Sequence, residues 1–338
     1  MKIRKTYLKE LQDGNSVLSA LLEKYKVPGL GLTVLCGGET VYSAVCGVRD
    51  DWGTPVTFAT LFECASLTKS LFSVLVLRLA EEGRLDLNRP IAMQYDHRHW
   101  SEDPRYGEIT PFHVLSHGSG LPNWGPQPLE LAFGPGTGFS YSGEGYYLLQ
   151  HMVQQLEGCP LEESFRKYFC EPWGMERTAA DWTPQVGAAM SRGFDDAGKV
   201  CKIRDSHDDE GYAPEPNAAW SLYSNTEDYA RFVCRMIAER GGLSEEVFAA
   251  MTSPQNPADH GVSWGLGFGL VDAAPDVCWH WGDNSGFKNF CIWDKKTGDG
   301  AVIFTNGDRG MDLYMELLKD LTDGTFLDDV RAFIEEGE

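Results

Sequence analysis

Strand-forming segments lie at the two ends of this chain and helical segments fill its middle, and that distribution limits the folds open to it. Residues 30–36 (LGLTVLC) and 40–46 (TVYSAVC) are β-rich and are separated by Gly37-Gly38, a hairpin signal. Strand patterns return at 264–271, 277–282, 287–293 and 301–305. Helical patterns over 67–82, 111–116, 145–157 and 161–169 are joined by long Pro/Gly loops, and further helices at 16–26, 226–240, 309–320 and 326–336 flank the strands. Strands joined by short turns favour antiparallel pairing. The predicted fold is therefore α/β, of the α+β type. Residues 1–83 and 226–338 form an antiparallel sheet flanked by N- and C-terminal helices. Residues 84–225 form an inserted, mainly helical domain, with a cleft at the junction, where ligand sites are common.

At 338 residues, 42% hydrophobic and 12% aromatic, the chain has ample material for a packed core, which excludes a disordered protein. Its formal net charge of −21 repels phosphate backbones and anionic lipid, so neither nucleic acid nor a membrane surface is expected as a partner. The longest apolar run, LFSVLVL at 71–77, is too short for a membrane span, and the polar N-terminal stretch lacks the apolar core of a secretory signal. The expectation is a cytoplasmic protein whose nine cysteines are free thiols, each a small buried hydrophobe unless shown otherwise. Cys64, two residues before a candidate nucleophile, is the one to examine.

Ser66-Leu67-Thr68-Lys69 is a Ser-x-x-Lys motif at the start of an apolar helix. Residues three apart share a helix face, so hydroxyl and amine can meet. Serine is a weak nucleophile until a base takes its proton. Lysine can be that base only where burial depresses its pKa. The same spacing recurs at Ser164/Lys167 and Ser285/Lys288. Ser164 falls in a charged stretch that reads as a solvated helix face, and Ser285 falls in a Gly-rich turn whose lysine would not share a helical face. Ser66 could also be an ordinary helix cap. Tyr141-Ser142-Gly143 offers a phenol that could shuttle protons, or a core tyrosine. His280-Trp281-Gly282, followed by Asp283, offers a strand edge whose backbone N–H could face an oxyanion, or merely a Gly-rich turn. Asp96-His97-Arg98-His99 and the pair His113/His117 superficially suggest a metal site, but no H-E-x-x-H or third convergent ligand accompanies them.

Taken in order, these elements resemble the serine β-lactamase and penicillin-binding protein superfamily, above all class C β-lactamases and their esterase and D-peptidase relatives. The resemblance runs through GRLDLNRPI at 83–91, HVLSHGSGLP at 113–122, FGPGTGFSYSGEGY at 133–146, WGLGFGL at 264–270 and HWGDNSGF at 280–287. It implies the β-lactamase/transpeptidase-like fold and a cofactor-free, metal-free hydrolase. Ser66 would be the acylated nucleophile, Lys69 its general base and Tyr141 the acid that protonates the leaving group. The backbone N–H groups of Ser66 and Asp283 would form the oxyanion hole, with His280, Trp281, Gly282 and Gly143 on the substrate side. Trp124, Trp220 and Trp281 fall in segments that border the cleft in such folds, which suggests an aromatic-lined pocket.

Two departures bear on activity. The superfamily's Tyr-x-Asn reads Tyr-Ser-Gly, so Gly143 has no amide to hold a substrate amide. Its Lys-Thr/Ser-Gly reads His-Trp-Gly, exchanging a fixed cation for a titratable imidazole. The expected activity is hydrolysis of a small ester, amide or short peptide through a Ser66 acyl-enzyme. A weak β-lactamase, a D-aminopeptidase or carboxypeptidase, a non-catalytic binding protein on the same fold and a metal-dependent hydrolase are the alternatives.

Overall fold

The computed structural model describes residues 1–14, 16–95, 100–203 and 215–337. Among them the strands are β1 (Gly29–Cys36), β2 (Glu39–Gly47), β3 (Phe62–Ala65), β4 (Gly193–Phe194), β5 (Val200–Lys202), β6 (Leu222–Ser224), β7 (Asn256–Pro257), β8 (Val262–Trp264), β9 (Gly269–Val271), β10 (Ala274–Asn284), β11 (Phe287–Asp294) and β12 (Gly300–Thr305). The helices are α1 (Lys5–Gln12), α2 (Ser16–Tyr25), α3 (Thr68–Glu81), α4 (Pro111–Leu115), α5 (Gly143–Glu157), α6 (Leu161–Phe165), α7 (Glu171–Trp173), α8 (Pro184–Ala189), α9 (Thr226–Glu239), α10 (Glu245–Met251), α11 (Gly310–Leu321) and α12 (Leu327–Gly337). None is long and apolar enough to cross a membrane.

Eight strands from both chain ends form one antiparallel sheet in the order β2-β1-β12-β11-β10-β9-β8-β7. Alternation along each strand separates its two faces. On one face Leu30, Leu32, Trp279, Phe290 and Ile303 pack with Leu18 of α2, Leu317 of α11 and Val330 of α12. On the other, Cys278, Cys291, Val302 and Phe304 join a core that runs on into α3, α5 and α9. Helix α3 is buried nearly all round, from Thr68 to Leu79. Such a helix is held by the core rather than by an amphipathic face. Pairs β3–β6 and β4–β5 form two small accessory sheets.

The predicted strand over 264–271 is two strands, β8 and β9, joined by a tight hairpin. A Cβ on Gly265 would lie 2.1 Å from the Met251 carbonyl oxygen, and Gly267 has φ of +99° with Ser73 pressed against it. The glycines that read as part of a strand are therefore what folds it back. The predicted helix over 161–169 is α6 followed by a π-helical turn, Arg166–Cys170. Ser164, expected on a solvated face, is buried, because its side of α6 turns into the core.

Candidate active site

The turn from β3 into α3 presents Ser66. Ala65 just before it has φ of +49°, a left-handed conformation that costs a non-glycine residue roughly 1–3 kcal/mol unless its surroundings enforce it. Thr68 helps to enforce it. Its hydroxyl donates to the Ala65 carbonyl at 2.6 Å and accepts from Leu222 N–H at 3.0 Å, tying the start of α3 to β6.

Lys69 is completely buried, with Nζ 3.0 Å from Ser66 Oγ and donating to the Ala219 carbonyl at 2.9 Å. Nζ also lies 4.7 Å from the ring centre of Tyr141 and 5.6 Å from that of Tyr146. Among the described residues no carboxylate pairs with it. Burial therefore pushes its pKa well below the ordinary lysine value, toward a neutral amine.

The Tyr141 hydroxyl is buried too, and desolvation holds its pKa well above that of an ordinary phenol, with Ser66 near enough to offset part of the rise. Among the described residues its Oη has no hydrogen-bond partner of ordinary geometry. Its ring is set by neighbours from three parts of the chain: His117 at 4.3 Å between ring centres, Trp281 at 4.7 Å and Trp264 at 5.9 Å. His117 Nδ1 accepts from the backbone N–H of Ser142, so the imidazole that props Tyr141 also fixes the next residue. Burial, with Lys69 nearby, drives the His117 pKa well down.

His280 is fully buried, and burial brings its pKa down to about 3. Its Nδ1 is 2.7 Å from the Trp281 carbonyl oxygen. Both His280 and Trp281 were expected to face the substrate. Both are instead buried beside Tyr141 and neither lines the cleft at Ser66, His280 packing against Trp264 at 5.4 Å and Trp281 only 6% exposed. Gly282 permits the closest approach in the site. A Cβ there would lie 2.1 Å from the Cys64 carbonyl oxygen, so β10 runs directly against the end of β3. Strand β9 stops pairing with β10 at Trp279, which leaves the later residues of β10 free of that neighbour.

A cleft of about 290 Å³ opens at Ser66, lined by the aromatic side chains of Trp124 and Trp220 and by Asp283 and Asn284 of β10. Of the residues expected on the substrate side, Trp124 and Trp220 line it, as does Asp283, expected as an oxyanion donor. Gly143 does not, because it lies beneath the Trp124 indole. Asn123 and Lys202 also line the cleft and were missed by sequence reasoning. Lys202 Nζ is 2.7 Å from Glu63 Oε2, and the Asn284 amide donates to the same oxygen at 2.6 Å. Asn289, wholly buried, donates to the Glu63 carbonyl at 2.6 Å. Glu63 thereby binds β3 to β5, β10 and β11. The one signal for it was a carboxylate in an apolar run (LFECA).

The other candidates do not join this site. Cys64 is fully buried and desolvation pushes its thiol well up, so it is no reactive thiolate. Lys167 pairs with Glu157, and Lys288 with Asp283. His113 closes a capping box with Thr110. Residues 96–99 lie outside the described residues, and among those described no group of three or more His, Cys, Asp or Glu is arranged to hold a metal ion.

A family model described as Beta-lactamase matches residues 15–322. Protein flp of Staphylococcus aureus is 25% identical over 182 residues, covering 48% of this chain and 36% of that protein. The chain thus spans about a third of the length of this curated relative. Esterase EstB of Burkholderia gladioli is 24% identical, covering 86% of this chain and 89% of its own. Among solved structures, the D-alanine carboxypeptidase AmpC from Burkholderia cenocepacia superposes with a TM-score of 0.76 at 18% identity, over 93% of this chain and all of that one, a likeness of fold. With a family match spanning nine-tenths of the sequence and the same fold around the Ser66 cleft, this chain belongs to the Beta-lactamase family.

Proposed function

We propose that this protein is a serine hydrolase that cleaves a small ester, amide or short peptide through an acyl-enzyme on Ser66. The observation that carries the reading is a wholly buried lysine amine, without a carboxylate partner among the described residues, 3.0 Å from the hydroxyl of Ser66. A neutral Lys69 takes the Ser66 proton as Oγ bonds to the substrate carbonyl carbon. The backbone N–H groups of Ser66 and Asp283 hold the resulting oxyanion. The proton then passes by way of Tyr141 to the leaving alcohol or amine as its bond to carbon breaks. Water repeats the sequence: it yields a proton to the same pair, attacks the acyl carbon and releases the carboxylic acid and free Ser66.

Ester or amide substrates fit better than those read through a carboxylate beside the nucleophile. The β10 position where a cation would sit carries His280, which is buried and neutral. The relationship to esterase EstB supports the same choice. The test is intact-protein mass spectrometry after a fluorophosphonate probe, run alongside hydrolysis of p-nitrophenyl esters. Wild type should gain one adduct on Ser66, and Ser66→Ala should gain none and lose turnover by at least ~10³-fold. Labelling that persists in Ser66→Ala would overturn the assignment.

A further inference from the structure

Trp124 is a large aromatic side chain left 49% exposed, and its backbone is clamped on both sides. The Asn123 carbonyl accepts from the N–H groups of Gly143 and Glu144 at 3.0 and 3.1 Å, Asn123 Oδ1 accepts from Gly143 N–H at 3.1 Å, and the N–H of Gly125 donates to Glu144 Oε1 at 3.3 Å. All of these contacts are with the first turn of α5, two or three residues past Tyr141. A Cβ on Gly143 would lie 2.6 Å from Cζ2 and 2.8 Å from Cη2 of the indole and 2.7 Å from the Asn123 carbonyl oxygen. Gly143 is helical, so backbone conformation does not demand glycine there. The indole and the Asn123 carbonyl do. They occupy the space a side chain on residue 143 would need, and the rest of the indole surface remains in the cleft beside Ser66, which Trp220 also lines.

We infer that Trp124, seated on Gly143, sets acyl-group preference, and that the site takes a flat apolar acyl group such as an arylacetyl. The inference rests on the serine-hydrolase reading and names its substrate class. An indole face open to the cleft beside Ser66 offers a flat apolar surface to a ligand, and an aromatic pair contributes ~0.5–1.5 kcal/mol beyond the area it buries. With its backbone held and part of its ring packed over Gly143, Trp124 offers this surface at a reduced ordering cost on binding. Besides Ser66, the other groups that line the cleft, Asn123, Lys202, Asp283 and Asn284, are polar, so the apolar part of the ligand belongs against the tryptophans.

The test measures kcat/KM for p-nitrophenyl phenylacetate divided by that for p-nitrophenyl acetate, which share a leaving group. Trp124→Ala should lower the ratio about five- to tenfold, and Trp124→Phe, which keeps a ring, should lower it less. Gly143→Ala, whose Cβ meets both the indole and the Asn123 carbonyl, should lower it comparably by displacing Trp124. Thermal unfolding of each variant, recorded in parallel, confirms that the ratio is read on folded protein. A ratio unmoved by Trp124→Ala would overturn the inference while leaving the hydrolase reading intact. Absence of both turnover and Ser66 labelling in wild type would instead remove the hydrolase reading and this inference together.

Discussion

Lys69 is a liability to stability. An amine with no exposure, held by a hydroxyl and a carbonyl, has its pKa depressed in the folded state only. The unfolded chain therefore binds a proton that the folded chain does not, up to the ordinary lysine value near 10.5. Across that window stability rises with pH. Lys69→Met should accordingly abolish ester turnover while raising the unfolding midpoint at pH 7, with the gain shrinking as pH approaches 10. Denaturant titrations at the two pH values check this, and a destabilised Lys69→Met protein at neutral pH would contradict it. The same depressed pKa predicts an acid limb in kcat/KM far below 10.5 that is lost with the lysine. At this scale the Ser-x-x-Lys spacing was legible, since a helical turn brings the pair together. The pKa was not, because the groups that bury the amine, Ala219, Tyr141 and Tyr146, come from distant parts of the chain.

At the scale of elements, the site is the seam between β10 and the β3–α3 turn, and Gly282 is what lets the two touch. A Cβ there meets the backbone carbonyl of Cys64, an atom no side-chain rotation can move away. Gly282→Ala should push β10 off β3, widening the gap between the Ser66 and Asp283 backbones. A loss of roughly 1–3 kcal/mol in unfolding free energy is expected, from overpacking. The fall in kcat should exceed any rise in KM, because the displaced N–H groups matter most in the transition state. Steady-state kinetics with denaturant melts would show it, and near-wild-type kcat would argue against Asp283 as an oxyanion donor. Element boundaries were largely readable: hydrophobic period and glycine punctuation placed α3, α9 and β10–β12 within a few residues. The failures have a common cause. In 264–271 the close approaches of Met251 and Ser73, invisible in a local window, turned one apparent strand into a hairpin. In 161–164, the direction of burial came from packing rather than from the charge of neighbouring residues.

Across the whole molecule, two imidazoles are sealed in the core behind the cleft. The His280 pKa lies down at about 3 against an ordinary 6.5, and that of His117 is also well down. For a group whose protonation is suppressed by folding, the unfolded state binds more protons between the two values. Unfolding free energy should therefore fall as pH drops from about 6.5 toward 3. His280→Asn should flatten that slope in urea titrations between pH 7 and 4, and an unchanged slope would show that His280 titrates normally. The sequence by itself determined the architecture and put forward Ser66 and Lys69 as candidate reacting groups, because hydrophobic period, glycine placement and Ser-x-x-Lys spacing are local properties that survive without tertiary context. Only the tertiary structure decided which side chains line the cleft. Packing against Tyr141 and Trp264 buried His280 and Trp281, an indole settled over Gly143, and β5 brought Lys202 to Glu63. Each of these joins residues far apart along the chain, and contacts of that kind are set by how layers pack rather than by any pattern a stretch of sequence carries.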